Sequence, residues 1–305
     1  MMKNFTQVMN AAQEIPLARV AVAAAHDDAV LEAVRGAMEL EIAKFTLVGD
    51  AAKINALASE MGINLAKLKI IDEPDNRKAA LHAASLVSSG HDDILMKGLL
   101  STADLLRAVL DKEVGLRSGR LLSHVFVIEA KGYDRLILMT DCAMNIKPSL
   151  EQKVEIIRNC GSLAKVLGKE PARVAALAAV EVVNPDMPAT LDAAALAKMA
   201  ERGQIKDFII DGPLALDIAI SIEAASHKGL TDSHAAGQAD VLLVPNIEVG
   251  NVLAKSAVYF GGCRIAGLVL GASKPVVLTS RSDTFEAKIL SIALANLVGN
   301  YEKNR

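Results

Sequence analysis

Along this chain short apolar runs alternate with longer stretches in which apolar residues recur at helical spacing. RVAVAAA (19–25) is a compact apolar run of the kind a buried parallel strand requires. A helical pattern follows through DDAVLEAVRGAMEL, and KFTLVGD (44–50) reads as the next strand, closed by Gly-Asp turn chemistry. After another helix come KLKIID (67–72), the helical NRKAALHAASLVSSG and the strand DILMKG (93–98). STADLLRAVLDK opens with Ser101 and has Asp104 three residues on, close to a capping box, which predicts a helix start there. HVFVIEA and RLILMT, separated by KGYD (131–134), predict an antiparallel pair within a mostly parallel sheet. The alternation resumes from about 149. LEQKVEIIRNCGSLAKVLG predicts a helix and RVAALAAVEVV (173–183) a strand, and a further helix covers 189–202. KDFIIDGP, ADVLLVPN, RIAGLVLG and PVVLTS read as strands, and a last helix spans 283–299.

Repeated β–α units of this kind predict an α/β architecture with helices covering the sheet faces. A length of 305 residues exceeds the ~250–300 at which one core usually stops growing, so two lobes with a ligand cleft between them are expected. No linker rich in Pro, Gly or Ser divides the chain.

Composition narrows the classes. Aromatics make up 3% and Trp is absent, so the core must come from Ala, Val, Leu and Ile, and the stacking platforms of single-strand nucleic-acid binders are lacking. A net charge of -3 without a long basic run argues against nucleic-acid or acidic-membrane partners. Cys142, Cys160 and Cys263 are odd in number and far apart, which predicts buried small apolar residues rather than disulfides or a zinc site. The first sixteen residues lack the apolar core of a signal peptide, and a cytoplasmic protein is expected.

Ligands of open α/β sheets gather beyond the carboxyl ends of strands. Four such places carry polar groups: Lys97-Gly98; Asp211-Gly212-Pro213; Asn246, Glu248, Gly250 and Asn251 with Lys255; and Ser280-Arg281. Each has a structural alternative. Lys97 could be a solvated strand-end charge, Asp211-Gly212-Pro213 a turn, Asn246 a helix N-cap, and Asp283 with Glu286 a capping box. Ser280-Arg281 is the strongest of the four. A guanidinium and a hydroxyl at a sheet rim, just before a helix N-terminus, make an oxyanion or phosphate cradle. GxGxxG after the first strand, GxxxxGK[ST], HExxH, paired cysteines and GxSxG are all missing, which weakens nicotinamide, NTPase, zinc and serine-hydrolase readings.

Seven ordered blocks carry a resemblance over nearly the whole chain: LMKGLLSTADLLRAVL (95–110), LLSHVFVIE (121–129), LILMTDCAMNIKPSLEQKVEII (136–157), AALAAVEVVNPDMPATLDA (175–193), IIDGPLALDIAIS (209–221), ADVLLVPNIEVGNVLAKSAVYFGG (239–262) and GLVLGASKPVVLTSRSDTFEAKILSIALA (267–295). Together they resemble the phosphate acetyl/butyryltransferase family, and VNPDMPAT and SHVFVIE look closer to its butyryl branch. The resemblance implies a two-domain α/β/α fold with mostly parallel sheets, similar to isocitrate and isopropylmalate dehydrogenases, with the active site in the interdomain cleft. The expected division is 1–143 plus 275–305 against 144–274. It implies reversible transfer of a short acyl group between CoA and inorganic phosphate, with butyryl as the leading substrate and acetyl as the alternative. CoA and phosphate would be substrates, with no metal or prosthetic group, and the chain would form a homodimer or larger homo-oligomer. Two more distant readings are a decarboxylating dehydrogenase on the related fold, for which no carboxylate cluster is found, and a non-catalytic CoA- or phosphate-binding protein.

By the same resemblance the family's Ser-Arg pair falls on Ser280 and Arg281, with Arg281 on the phosphate and Ser280 bonded to the thiol or carbonyl oxygen. Asn246, Gly250, Asn251 and Lys255 match one cleft segment and Asp211, Gly212 and Pro213 another, while Lys97, Ser123 and His124 come from the opposite lobe. The acetyl branch carries an Asp six residues after the Arg, proposed as the base, where this chain has Ala287. Glu286 lies about 100° away around the helix and Asp283 nearer its start, so neither inherits the role by position. Glu286, Asp283 and His124 are the candidates for proton transfer.

Overall fold

A computed structural model describes residues 1–280 and 283–304. The chain divides into two compact units. One comprises Phe5–Arg120 and Ala266–Arg305, and the other Met1–Asn4 and Leu121–Ile265. We call them the terminal and central units after their place in the sequence.

In the terminal unit, β1 (Ala18–Ala23), β2 (Ala43–Gly49), β3 (Lys69–Asp72), β4 (Ile94–Lys97), β10 (Arg264–Leu270) and β11 (Val276–Val277) lie in the order β3-β2-β1-β4-β11-β10. All neighbours are parallel except β10 and β11, which a short turn joins and which pair through Val269 and Val276. The helices are α1 (Phe5–Gln13), α2 (Asp28–Glu39), α3 (Ala51–Glu60), α4 (Asn76–Ser88), α5 (Thr102–Val109) and α11 (Phe285–Lys303). Asp27, Asp50, Asp75 and Ser101 cap α2 to α5 by accepting N–H bonds of the first turn. The Ser101 hydroxyl also donates to the Asp104 carboxylate at 2.7 Å, so Asp104 does not complete a reciprocal capping box. From Ala287 to Val298 every residue of α11 is buried, as it packs on the sheet and against α1 and α2.

Small residues permit this density. A Cβ on Gly98 would land on the carbonyl oxygens of Ala23 and Ala24, so only glycine lets the chain leaving β4 pass the end of β1. At the opposite end of β4, Asp93 accepts bonds from Arg19 (Nε 3.0 Å, Nη2 2.9 Å, backbone N 3.0 Å) and from Lys303 at 2.6 Å. Burial pushes its carboxyl up, but the bonds from Arg19 and Lys303 outweigh that and hold it well below the usual carboxylate range.

In the central unit, β5 (Ser123–Glu129), β6 (Ile137–Thr140), β7 (Ala172–Leu177), β8 (Phe208–Leu214) and β9 (Val241–Leu243) follow the order β5-β6-β9-β7-β8. β5 and β6 are antiparallel as predicted, and the remaining pairs are parallel. The helices are α6 (Leu150–Val166), α7 (Pro188–Glu201), α8 (Leu216–Ile220), α9 (Ile222–His227) and α10 (Ile247–Tyr259). α6 starts at a full capping box of Ser149 and Gln152. The core is the Ala, Val, Leu and Ile assembly expected from the scarcity of aromatics.

Several expectations are corrected. The unit boundaries fall at 120/121 and 265/266 rather than 143/144 and 274/275, because β6 pairs with β9 and carries its partner β5 into the central unit, while Val269 pairs with Val276 of the terminal unit. The strand predicted over 173–183 stops at Leu177, and Asp211-Gly212-Pro213 lies inside β8 instead of in a turn after it. The cap of the last helix is Thr284, whose hydroxyl accepts from Ala287 N, and not Asp283.

Gly98→Ala should lower the unfolding free energy by roughly 1–3 kcal/mol in chemical denaturation, the scale of forced overpacking against backbone. Because Asp93 ionises more readily folded than unfolded, its contribution is full above the ordinary carboxylate pKa near ~4 and disappears as pH falls. Asp93→Asn should therefore flatten the acid limb of the stability–pH curve measured by thermal melts.

Candidate active site

The carboxyl ends of β7, β8 and β9 open onto a cavity of about 920 Å³ in the central unit. Its walls come from the end of β7 (Leu177) and the loop after it (Ala178, Ala179), the start of α7 and the first turns of α10. Asn246 begins α10 by accepting the Val249 N–H at 3.0 Å, so the N-cap reading holds and the side chain also lines the cavity. Gly250 seats α10, since a Cβ there would stand 2.8–2.9 Å from Val244, Asp141 O and the Cys142 Cα. The few charged groups at the cavity include Lys147, Glu248 and the pair Lys153–Asp192, joined at 2.6 Å with the lysine nearly buried. A mostly apolar chamber with a few fixed polar groups is the usual form of a small-molecule site.

The terminal unit presents a second cluster at the carboxyl edge of its sheet. β1, β4 and β11 run parallel there, with Ala23 opposite Lys97 and Val277 opposite Met96. Lys97, the last residue of β4, is only 6% exposed, so the solvated-charge reading fails; its ammonium donates to Gly98 O at 3.4 Å. Three residues beyond β11, Ser280 is exposed, and its N–H donates to the Asp283 carboxylate at 2.6 Å. The Asp283 N–H returns a bond to Ser280 O at 3.2 Å. Glu286 is exposed in the first turn of α11, whereas Ala287 is buried. Arg281 lies outside the described residues.

The other predicted residues are placed differently. Ser123 and His124 belong to the central unit, with Asn246, and not to the opposite lobe, because β5 pairs with β6. Ser123 is buried and accepts a bond from Asn159 Nδ2 at 2.9 Å. His124, 1% exposed, meets Phe126 edge-on with ring centroids 4.3 Å apart. Asp211 accepts the Gly212 N–H at 2.7 Å and the Ser233 hydroxyl, so its carboxylate is engaged locally. Asn251 reaches Cys142 O at 3.5 Å, and Lys255 is exposed on α10. Burial raises the Cys142 and Cys160 thiols, that of Cys160 to about 12, as fits buried apolar packing, whereas Cys263 is only partly buried and departs from that expectation. Among the described residues no cluster of three metal-ligating side chains occurs.

Residues 4–82 and 74–296 match the phosphate acetyl/butaryl transferase family. The chain belongs to that family. A phosphate butyryltransferase of Clostridium beijerinckii is 52% identical, over 99% of this chain and all of that one. A phosphate acetyltransferase of Thermotoga maritima is 44% identical, over 91% of this chain and 94% of its own. A solved branched-chain phosphotransacylase from Enterococcus faecalis superposes with a TM-score of 0.83 at 34% identity, covering 92% of this chain and 99% of that one. The relatives are transferases, and this chain is an enzyme of that class.

Within this family member two features escaped sequence reasoning. Asp141, directly after β6, accepts bonds from Ala143 N, Met144 N and Asn145 N, shaping the loop that α10 meets at Gly250. The strand-end rule could have found it, but only with the end of β6 known to the residue. The Lys153–Asp192 pair joins two helices and leaves no local signal.

Asn246→Ala should cost about 1 kcal/mol of stability through the lost cap. It should also raise KM for the acyl-CoA substrate in steady-state kinetics, because the same side chain lines the cavity.

Proposed function

We propose that this protein is a phosphate butyryltransferase, interconverting butanoyl-CoA and phosphate with butanoyl phosphate and CoA. Kinship to a phosphate butyryltransferase over 99% of this chain carries the reading. The apolar cavity at the carboxyl ends of β7 to β9, which offers room for an acyl chain and part of a CoA arm, supports it. Acetyl transfer is the second reading, favoured by the acetyltransferase relative.

A phosphate oxygen attacks the thioester carbonyl and forms a C–O bond, and negative charge collects on the carbonyl oxygen. Collapse breaks the C–S bond, and the CoA thiolate leaves and takes up a proton. Arg281 binds phosphate and offsets the developing charge, and the exposed Ser280 hydroxyl donates to the carbonyl oxygen or the departing sulfur. The buried Lys97 ammonium supplies positive field at the same sheet edge. Asn246, Gly250, Asn251 and Lys255 serve the CoA side. Asp211, Gly212 and Pro213 shape the neighbouring strand, and Ser123 supports β5. CoA and phosphate are substrates, and the reaction as written requires no metal or prosthetic group. Glu286 is the best placed proton carrier of the three candidates, because it is exposed while His124 is buried and the Asp283 carboxylate holds a backbone N–H. The working form in this reading is a cytoplasmic homo-oligomer; no helix among the described residues is long and apolar enough to cross a membrane.

A panel of acyl-CoAs followed for phosphate-dependent thiol release should give butanoyl-CoA the highest kcat/KM, and a clear preference for acetyl-CoA would replace the first reading by the second. Arg281→Ala should lower turnover by at least about a hundredfold, the scale of losing an oxyanion donor; near-normal turnover removes Arg281 from the mechanism. Glu286→Gln should reduce kcat without changing the melting temperature.

A further inference from the structure

Lys288 is a lysine in an unfavourable place. It sits in the first turns of α11, where the helix dipole opposes a cation, and it is 3% exposed. Burial pulls its pKa down, against the upward pull of Asp283, Asp27 and Asp28, the last two at the start of α2. What the ammonium obtains there is specific: it donates to Asp283 O at 2.8 Å and to Ser280 O at 3.4 Å. Combined with the two reciprocal bonds between Ser280 and Asp283, these close a ring of hydrogen bonds around the backbone on both sides of residues 281–282.

We propose that Lys288 is a positioning residue for acyl transfer, holding from inside the terminal unit the backbone carbonyls of Ser280 and Asp283. The inference rests on the phosphate acyltransferase reading. Its ammonium reaches carbonyl groups of the loop and acts on the reaction only through them.

The test compares wild type, Lys288→Met, Lys288→Arg and Arg281→Ala, with butanoyl-CoA and phosphate as substrates. Lys288→Met keeps the length of the side chain and removes its donors. It should lower kcat by at least about tenfold, the effect of a reacting group displaced by a fraction of an ångström. KM for butanoyl-CoA should stay within about twofold, since no contact to that substrate is removed. Lys288→Arg, which keeps the cation, should recover part of the loss. If Lys288→Met does not fold, Lys288→Gln replaces it with the same expected split. A variant that melts earlier but keeps its kcat shows a merely structural lysine and overturns the inference. An inactive wild type, or an Arg281→Ala variant as active as wild type, sinks the functional reading instead.

Discussion

Val276 pairs with Leu95 and Val277 with Met96, and these contacts join two segments that are far apart in sequence. Parallel pairing aligns the carboxyl ends of both strands, so the exit of β11 must lie beside the exit of β4. Ser280 and Asp283 are thereby brought to the edge that holds Lys97 and Gly98. The strand is only two residues long, too short for its own ladder to hold it. Its position is secured by the turn back to β10 and by α11, whose buried face follows directly after the loop. The geometry of this edge therefore depends on packing along a helix that begins a few residues later.

The central unit solves a different problem. Its sheet ends in an apolar chamber, walled by alanines and branched side chains, with charge confined to a few groups such as Lys153 with Asp192. Such a wall suits an apolar group.

Much of this was legible in the linear chain, and the failures have physical causes. Parallel strands are legible because both of their faces are buried, giving the unbroken apolar runs at 20–25 and 94–96. Asn246 was readable as a cap because capping is local. Asp211-Gly212-Pro213 was misread because its turn-like composition is overridden by pairing with β7, where a close approach to Ala176 demands the glycine. Ser123 and His124 were assigned to the wrong lobe because strand partnership is non-local, and no residue within 121–129 says that β6 will pair with β9. Asp283 and Glu286 share the box spacing, yet Thr284 is the cap, and the Asp283 carboxylate turns back to Ser280. Lys288 has no sequence signature, since its burial follows from how deeply α11 is packed.

The split of the terminal unit between the two ends of the chain bears on how the protein is made. Apart from Met1–Asn4 the central unit is one continuous stretch, which can collapse on its own as it leaves the ribosome. The terminal unit stays a half-built sheet, with its early strands waiting, until β10, β11 and α11 are synthesised. Nascent chains thus gain β11 and the helix that seals the interior almost together, so a chain cut short before α11 lacks a closed core.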